Sequence, residues 1–201
     1  MIGIINYGLG NVQSFINSYR MLGIPSISLS DKKDLKRVDR LILPGVGSFD
    51  NAIERLNNSG LRDDIEDLIF NKNLPIMGVC IGLHIMGNSS SEGLLKGLGW
   101  IDGEVKIIDH EKNIILPHMG WNKIKIEKEK SKLFLDLQYK RFYFLHSYHF
   151  IPNQESLQIA SVNYGKKLLA AISQDNIYGC QFHPEKSHSA GLKVLENFAK
   201  L

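Results

Sequence analysis

The sequence predicts one α/β domain spanning residues 1–201, with a central, mostly parallel sheet flanked by helices and extra antiparallel strands in its second half. Three observations lead there. Apolar strands alternate with amphipathic helices through the first half, which is the pattern of a parallel sheet covered on both faces. The second half is rich in short strands at hairpin spacing. No repeat, low-complexity tract or linker interrupts the 201 residues, of which 43% are hydrophobic and 22% charged, an ordinary globular balance.

The elements follow in order. Met1–Asn6 is a short apolar strand. Asn11–Leu22 carries Val12, Phe15, Ile16 and Tyr19 at helical spacing, and Gly23 is placed to stop the helix. Ile24–Leu29 and Arg40–Leu43 read as strands, the latter closed by Pro44 and Gly45. Ser48–Leu56 and Leu61–Phe70 suit helices, with Ser48 as a capping side chain. Pro75–Val79 is a buried strand that runs into Cys80. Further strands are expected at Gly103–Ile108, Lys123–Ile126, Phe142–Leu145, Leu157–Ser161, Leu168–Ile172 and Ile177–Phe182, before a last helix over Ser189–Lys200.

Charge and cysteine content exclude several function classes. The net charge of +3 is small. The densest basic stretch, Lys123 to Lys132, has five lysines interleaved with Glu127, Glu129 and apolar residues, so it reads as a solvated hairpin or edge strand, not a nucleic-acid footprint. Two cysteines are too few for a disulfide framework. The first residues, MIGIINYG, lack the basic region of a signal peptide. No apolar run approaches the roughly 18 residues of a membrane span. A cytoplasmic setting with free thiols is the expectation.

The segment Met77-Gly78-Val79-Cys80-Ile81-Gly82 takes a strand into a cysteine with glycine two residues away on each side. This is the cysteine form of a nucleophile elbow, whose crowded turn needs nearby glycines. Such a thiol sits at a helix N-terminus, where the dipole favours a thiolate. A buried packing cysteine is the plainer alternative, and glycine on both sides speaks against it. Among the seven histidines, His183 ends a strand and precedes Pro184-Glu185. It can serve as the base for Cys80, with Glu185 fixing the imidazole; a mere surface turn is the alternative. Cys180 alternates onto the opposite strand face and reads as a small buried hydrophobe.

The loop Pro44-Gly45-Val46-Gly47-Ser48 opens a helix after a strand. Its backbone N–H groups at Val46 and Gly47, with that of Ile81, suit an oxyanion hole. A phosphate cradle would need the Gly-Lys-Ser/Thr ending that is missing here. Gly8-Leu9-Gly10 begins like a dinucleotide fingerprint, but Gln13 stands where its third small residue belongs.

Together these segments resemble the class I (triad) glutamine amidotransferases, and within them the glutaminase subunits of imidazole glycerol phosphate synthase. The likeness runs the length of the chain, through Asn6–Asn11, Pro44–Phe49, Gly78–Gly82, Pro117–Asn122, Phe144–Tyr148 and Gln181–Ser187. It implies a flavodoxin-like amidotransferase fold, with Cys80 attacking the amide of glutamine, His183 moving protons and Glu185 orienting it. It implies that Gly47, His84, Glu92, Ser147 and Tyr148 hold glutamine. It calls for no cofactor or metal. The partner it implies is a separate (β/α)8-barrel cyclase subunit that receives the ammonia, met by His118, Gly120, Trp121, Asn122, Tyr143 and Lys186; for Trp121 a core position is the alternative. It also implies that the isolated glutaminase subunit is nearly inactive until the partner's ligand binds.

One departure stands close to the nucleophile. His84 occupies a position where the family usually has glutamine. It reads three ways: a replacement that still binds substrate, the mark of a paralogue serving sugar amidation in surface-glycan synthesis, or weakened activity. A non-catalytic module on the same fold, or a cysteine hydrolase of related fold, are the readings from other classes. Retention of Cys80, His183 and Glu185 argues against the first, and Glu92, Ser147 and Tyr148 together against the second.

Overall fold

The computed structural model describes residues 1–109 and 114–201; His110 lies outside the described residues. The strands are β1 (Ile2–Ile5), β2 (Ser26–Leu29), β3 (Arg40–Leu43), β4 (Ile76–Val79), β5 (Ser89–Ser90), β6 (Gly103–Ile107), β7 (His118–Ile126), β8 (Arg141–His146), β9 (Tyr148–Pro152), β10 (Gln158–Tyr164), β11 (Lys166–Gln174) and β12 (Ile177–Cys180). The α-helices are α1 (Val12–Met21), α2 (Phe49–Asn58), α3 (Arg62–Glu66), α4 (Ile81–Ile85) and α5 (His188–Phe198). None of the described helices is long and apolar enough to cross a membrane.

Nine strands form one sheet in the order β2-β1-β3-β4-β12-β11-β10-β7-β8. The first five run parallel to one another, and every pairing from β12 outward is antiparallel. Strands β1 and β4 are buried at every position, as a sheet covered on both faces requires. Helix α1 packs on α5, and α2 on α4. A second sheet, β5-β6-β9, stands beside the first.

Local chemistry accounts for most boundaries. The Asn11 side chain accepts from the Ser14 N–H and caps α1. Gly23, at φ +68°, ends that helix with its N–H on the Arg20 carbonyl. Ser48 stands at the N-cap of α2 but makes no side-chain cap bond; the first N–H of the helix, at Phe49, is taken by the Glu92 carboxylate at 3.0 Å. The segment expected as one helix over Leu61–Phe70 is α3 followed by a π-helical turn at Asp67–Asn71. Lys123–Ile126 is the end of the longer β7, which pairs antiparallel with the next strand β8 over His118–Lys123 and with β10 over Ile124–Ile126. Alternating charge marks the exposed face of that strand and says nothing about its neighbours. β5 and β9 were not expected at all.

Candidate active site

Strand β4 and its parallel neighbour β12 deliver the two central groups. Cys80 follows β4, and its N–H is bonded to the Cys180 carbonyl at the end of β12 at 2.9 Å. The Cys80 backbone is at φ +55° and ψ −112°, a conformation that a residue with a Cβ seldom adopts. Surrounding backbone forces it there. A Cβ on Gly82 would lie 1.9 Å from the Leu43 carbonyl oxygen, and one on Gly78 2.7 Å from the Gly82 oxygen. The turn closes only because these positions carry hydrogen.

Three residues beyond β12, His183 is buried and its N–H is bonded to the Tyr143 carbonyl at 2.9 Å. The Ser187 hydroxyl donates to the His183 carbonyl and accepts from the Tyr143 N–H, which ties the turn to β8. The imidazole Nδ1 is 2.9 Å from Glu185 Oε1. Burial alone would lower the His183 pKa. Its hydrogen bonds to Cys80 and Glu185, and their charges, outweigh that and push it up to about 10. Nδ1 is committed to Glu185, so Nε2 is the atom left for the sulfur and the substrate.

A cavity of about 270 Å³ opens over these groups. Of the residues expected from sequence, Val46, Gly47, Cys80, Ile81, His84, Glu92, Ser147, Tyr148, His183 and Lys186 all line it. Pro117, Leu145 and His146 complete the wall, and none of these three was anticipated. Gly47 lies at φ +98° in the loop beside Cys80. Burial raises the Glu92 pKa, the Phe49 N–H opposes this, and Asp50 adds to it. Asp50 in turn accepts the N–H groups of Leu94 and Leu95, so two carboxylates hold the Glu92 segment to the start of α2.

The Ser147–Tyr148 wall is held from behind by rings. His146 Nδ1 donates to the Tyr148 carbonyl at 2.8 Å, and its Nε2 accepts from His118 Nδ1 at 2.9 Å. Asn122 donates to His118 Nε2, and the His118 ring is stacked between Phe144 and Tyr164. Burial pushes His118 down to about 4 and holds His146 well below the ordinary value, so both rings are neutral at pH 7.

The remaining expected residues lie outside the cavity on β7 and β8. Trp121 is 40% exposed, stacks on His188 at 5.0 Å and pairs across the strands with Tyr143; it is not a core residue. Gly120 sits at φ +122°, and Asn122 bonds His118 and the Asn163 carbonyl. Lys186 joins the two regions, lining the cavity with its Nζ 5.8 Å over the Tyr143 ring. His118 departs from the expectation of a partner-facing side chain. It is 2% exposed, because Phe144 and Tyr164 enclose it.

The model of the class I glutamine amidotransferase family matches residues 4–201. The chain belongs to that family. Among curated relatives of this amidotransferase, the imidazole glycerol phosphate synthase subunit HisH of Bdellovibrio bacteriovorus is 44% identical, and that of Leptospira interrogans 42%, each alignment covering the whole of both chains. Subunit HisH 2 of Pseudomonas aeruginosa is 40% identical over the same extent. Solved structures agree on the amidotransferase fold. A glutamine amidotransferase crystal structure superposes with a TM-score of 0.77 at 18% identity, covering 100% of this chain and 99% of that one. PurLQS from Thermotoga maritima follows with a TM-score of 0.72 at 19% identity, covering 99% and 97%.

Sequence reasoning missed Gln181 as a site residue. It is fully buried, with its amide nitrogen 3.9 Å from Cys80 Sγ and its amide oxygen 2.8 Å from His84 Nε2. Alternation along the strand placed it on the His183 face, which was the available signal.

Proposed function

We propose that this chain is the glutaminase subunit of an imidazole glycerol phosphate synthase, hydrolysing glutamine and passing the ammonia to a (β/α)8-barrel cyclase subunit in histidine biosynthesis. The observation that carries the reading is the Cys80–His183–Glu185 constellation, in which Cys80 and His183 follow adjacent parallel strands into one cavity and Glu185 bonds His183, in a chain alike end to end to such subunits.

Cys80 Sγ attacks the side-chain carbonyl carbon of glutamine. The Gly47 loop and the Ile81 N–H receive the negative charge on oxygen. His183 Nε2 then gives its proton to the departing nitrogen, the C–N bond breaks, and ammonia leaves a glutamyl thioester. His183, neutral after that transfer, takes a proton from water as the water attacks. The C–S bond breaks and glutamate is released. Glu185 keeps Nδ1 protonated and the ring in place throughout. Glu92 is positioned to meet the substrate ammonium, and Ser147 and Tyr148 the carboxylate. The face carrying Gly120, Trp121, Asn122, Tyr143 and Lys186 receives the cyclase, with Trp121 as anchor. We place the protein in the cytoplasm, where its two unpaired cysteines stay reduced.

The test mixes the chain with histidine-pathway cyclase and measures glutamate release with and without the cyclase's ligand. Stimulation is expected. Stimulation only by a barrel that amidates a sugar would overturn the acceptor assigned here. Cys80→Ala should lower glutamine-dependent turnover by at least about a thousandfold and leave ammonia-dependent synthesis by the partner intact.

A further inference from the structure

The mechanism above leaves a buried pair of side chains unused. His84 is 1% exposed, one helical turn beyond Cys80, and its Nε2 is 2.8 Å from Gln181 Oε1. Gln181 is 0% exposed, and its Nε2 reaches Cys80 Sγ at 3.9 Å. Besides Gln181 and the His183 imidazole, the sulfur has one further hydrogen-bonding neighbour among the described residues, the Leu145 carbonyl at 3.8 Å.

Gln181 and the Leu145 carbonyl favour opposite states of the sulfur. A carbonyl oxygen accepts from a thiol S–H and repels a thiolate. An amide N–H donates to a thiolate and has little to offer the thiol. The amide of Gln181 favours the thiolate only in one orientation. Rotated by 180°, a change with almost no steric cost, it would set a second oxygen against the sulfur.

His84 decides between the two orientations. Its Nδ1 is buried and has no hydrogen-bond partner among the described residues. A bare lone pair at such a site is tolerated more readily than an unpaired N–H. The proton therefore belongs on Nε2, which donates to Gln181 Oε1 and turns the amide nitrogen to Cys80. Burial supports this by pushing the imidazole down to about 4, against the Gln181 hydrogen bond, so the ring carries a single proton at pH 7.

We propose that His84 is a positioning residue: it locks the Gln181 amide with its N–H toward Cys80 Sγ, so that the nucleophile meets a donor in its anionic state. His84 lines the cavity, but one ring nitrogen is buried and the other is bonded to Gln181, so it acts through Gln181 and not by hydrogen-bonding glutamine. The proposal rests on Cys80 being the nucleophile, as set out under the proposed function.

The experiment follows alkylation of the full chain by iodoacetamide, which has none of the groups that glutamine binding uses. Labelling of Cys80 and Cys180 is resolved by peptide mass, with thermal melts to confirm folding. In the wild type, Cys80 is labelled and Cys180 is not. His84→Leu and Gln181→Met each slow Cys80 labelling by roughly tenfold or more, as the loss of a hydrogen bond to a charged group predicts. The double variant is no slower than the slower single, because both changes remove one relay. His84→Gln, which restores a donor within reach of Gln181, recovers most of the rate lost in His84→Leu. With the partner present, His84→Leu lowers kcat for glutamine and leaves KM within about twofold. Gln181→Met carries the test if His84→Leu melts too early to label. Wild-type labelling rates in both single variants, multiplied losses in the double, or a raised KM at unchanged kcat would each overturn the proposal. Equal labelling of Cys80 and Cys180 in the wild type would instead overturn the assignment of the nucleophile.

Discussion

The two walls of the cavity are held by different physics. On the parallel side, backbone packs against backbone: Gly45, Gly78 and Gly82 leave no room for a Cβ, and the Cys80 turn is fixed by shape. On the antiparallel side, Ser147 and Tyr148 are backed by Asn122, His118 and His146, linked ring to ring by hydrogen bonds. The backbone turn that carries Cys80 is thus fixed by glycine packing alone, with no titrating group in it. The wall facing it depends on buried rings staying neutral.

Gly82→Ala attacks the first support and should have the largest effect. Its methyl would lie 1.9 Å from the Leu43 oxygen, so a loss of more than about 4 kcal/mol is expected in urea denaturation. Gly120→Ala is the control from the other side. It meets no atom within 4 Å and bears only the strain of φ +122°, about 1–2 kcal/mol. Equal losses would remove the contrast.

Acid should act on the antiparallel wall. His118 and His149 are each pushed by burial from 6.5 to about 4, and His146 lies well below 6.5. Between those values the unfolded chain binds protons that the native rings refuse. Their contribution is present above pH 6.5 and is lost as pH falls, at up to about 1.4 kcal/mol per pH unit for each ring. His149, buried with neither ring nitrogen bonded among the described residues, sharpens the test. His149→Leu should stay within about 1 kcal/mol of wild type at pH 7 and flatten the acid slope in urea midpoints. His183 behaves in the opposite sense. Raised to about 10, its contribution is full below 6.5 and is lost as pH climbs through 10. Glu185→Gln should shorten the alkaline limb and leave the acid limb alone. The smallest effect belongs to Trp121→Ala: the residue is 40% exposed, so thermal denaturation should register about 1 kcal/mol or less, while binding to the cyclase proposed as partner should weaken far more.

The parallel half was legible because its elements are local. Each strand and helix has its own apolar period, and the elbow displays its glycines at fixed offsets from Cys80. The antiparallel half was read less fully. β5 has two residues, too few for any pattern, and in β9 the buried His149 interrupts the apolar run. β7 showed only its charged end, since the rest of its inward face is His118 and a glycine-broken segment. At the site, the residues expected to surround glutamine converge on the cavity, but the bonds that position them do not follow from spacing. His84 and Gln181 are 97 positions apart, and Glu92 finds the Phe49 N–H 43 positions away. Such pairings are set by tertiary closure.

The pairing of β4 with β12 carries one more consequence. Val79 and Cys180 are register partners, so Cys80 and His183, the proposed nucleophile and base, follow adjacent strands out of the sheet. The strand ends from which they depart are therefore one interstrand repeat of about 4.8 Å apart, a length set by peptide hydrogen bonds. Insertions in the surrounding loops can reshape the acceptor side of the molecule without stretching that interval. The sheet acts as a ruler for the reaction, and chain divergence is free to operate everywhere except along its markings.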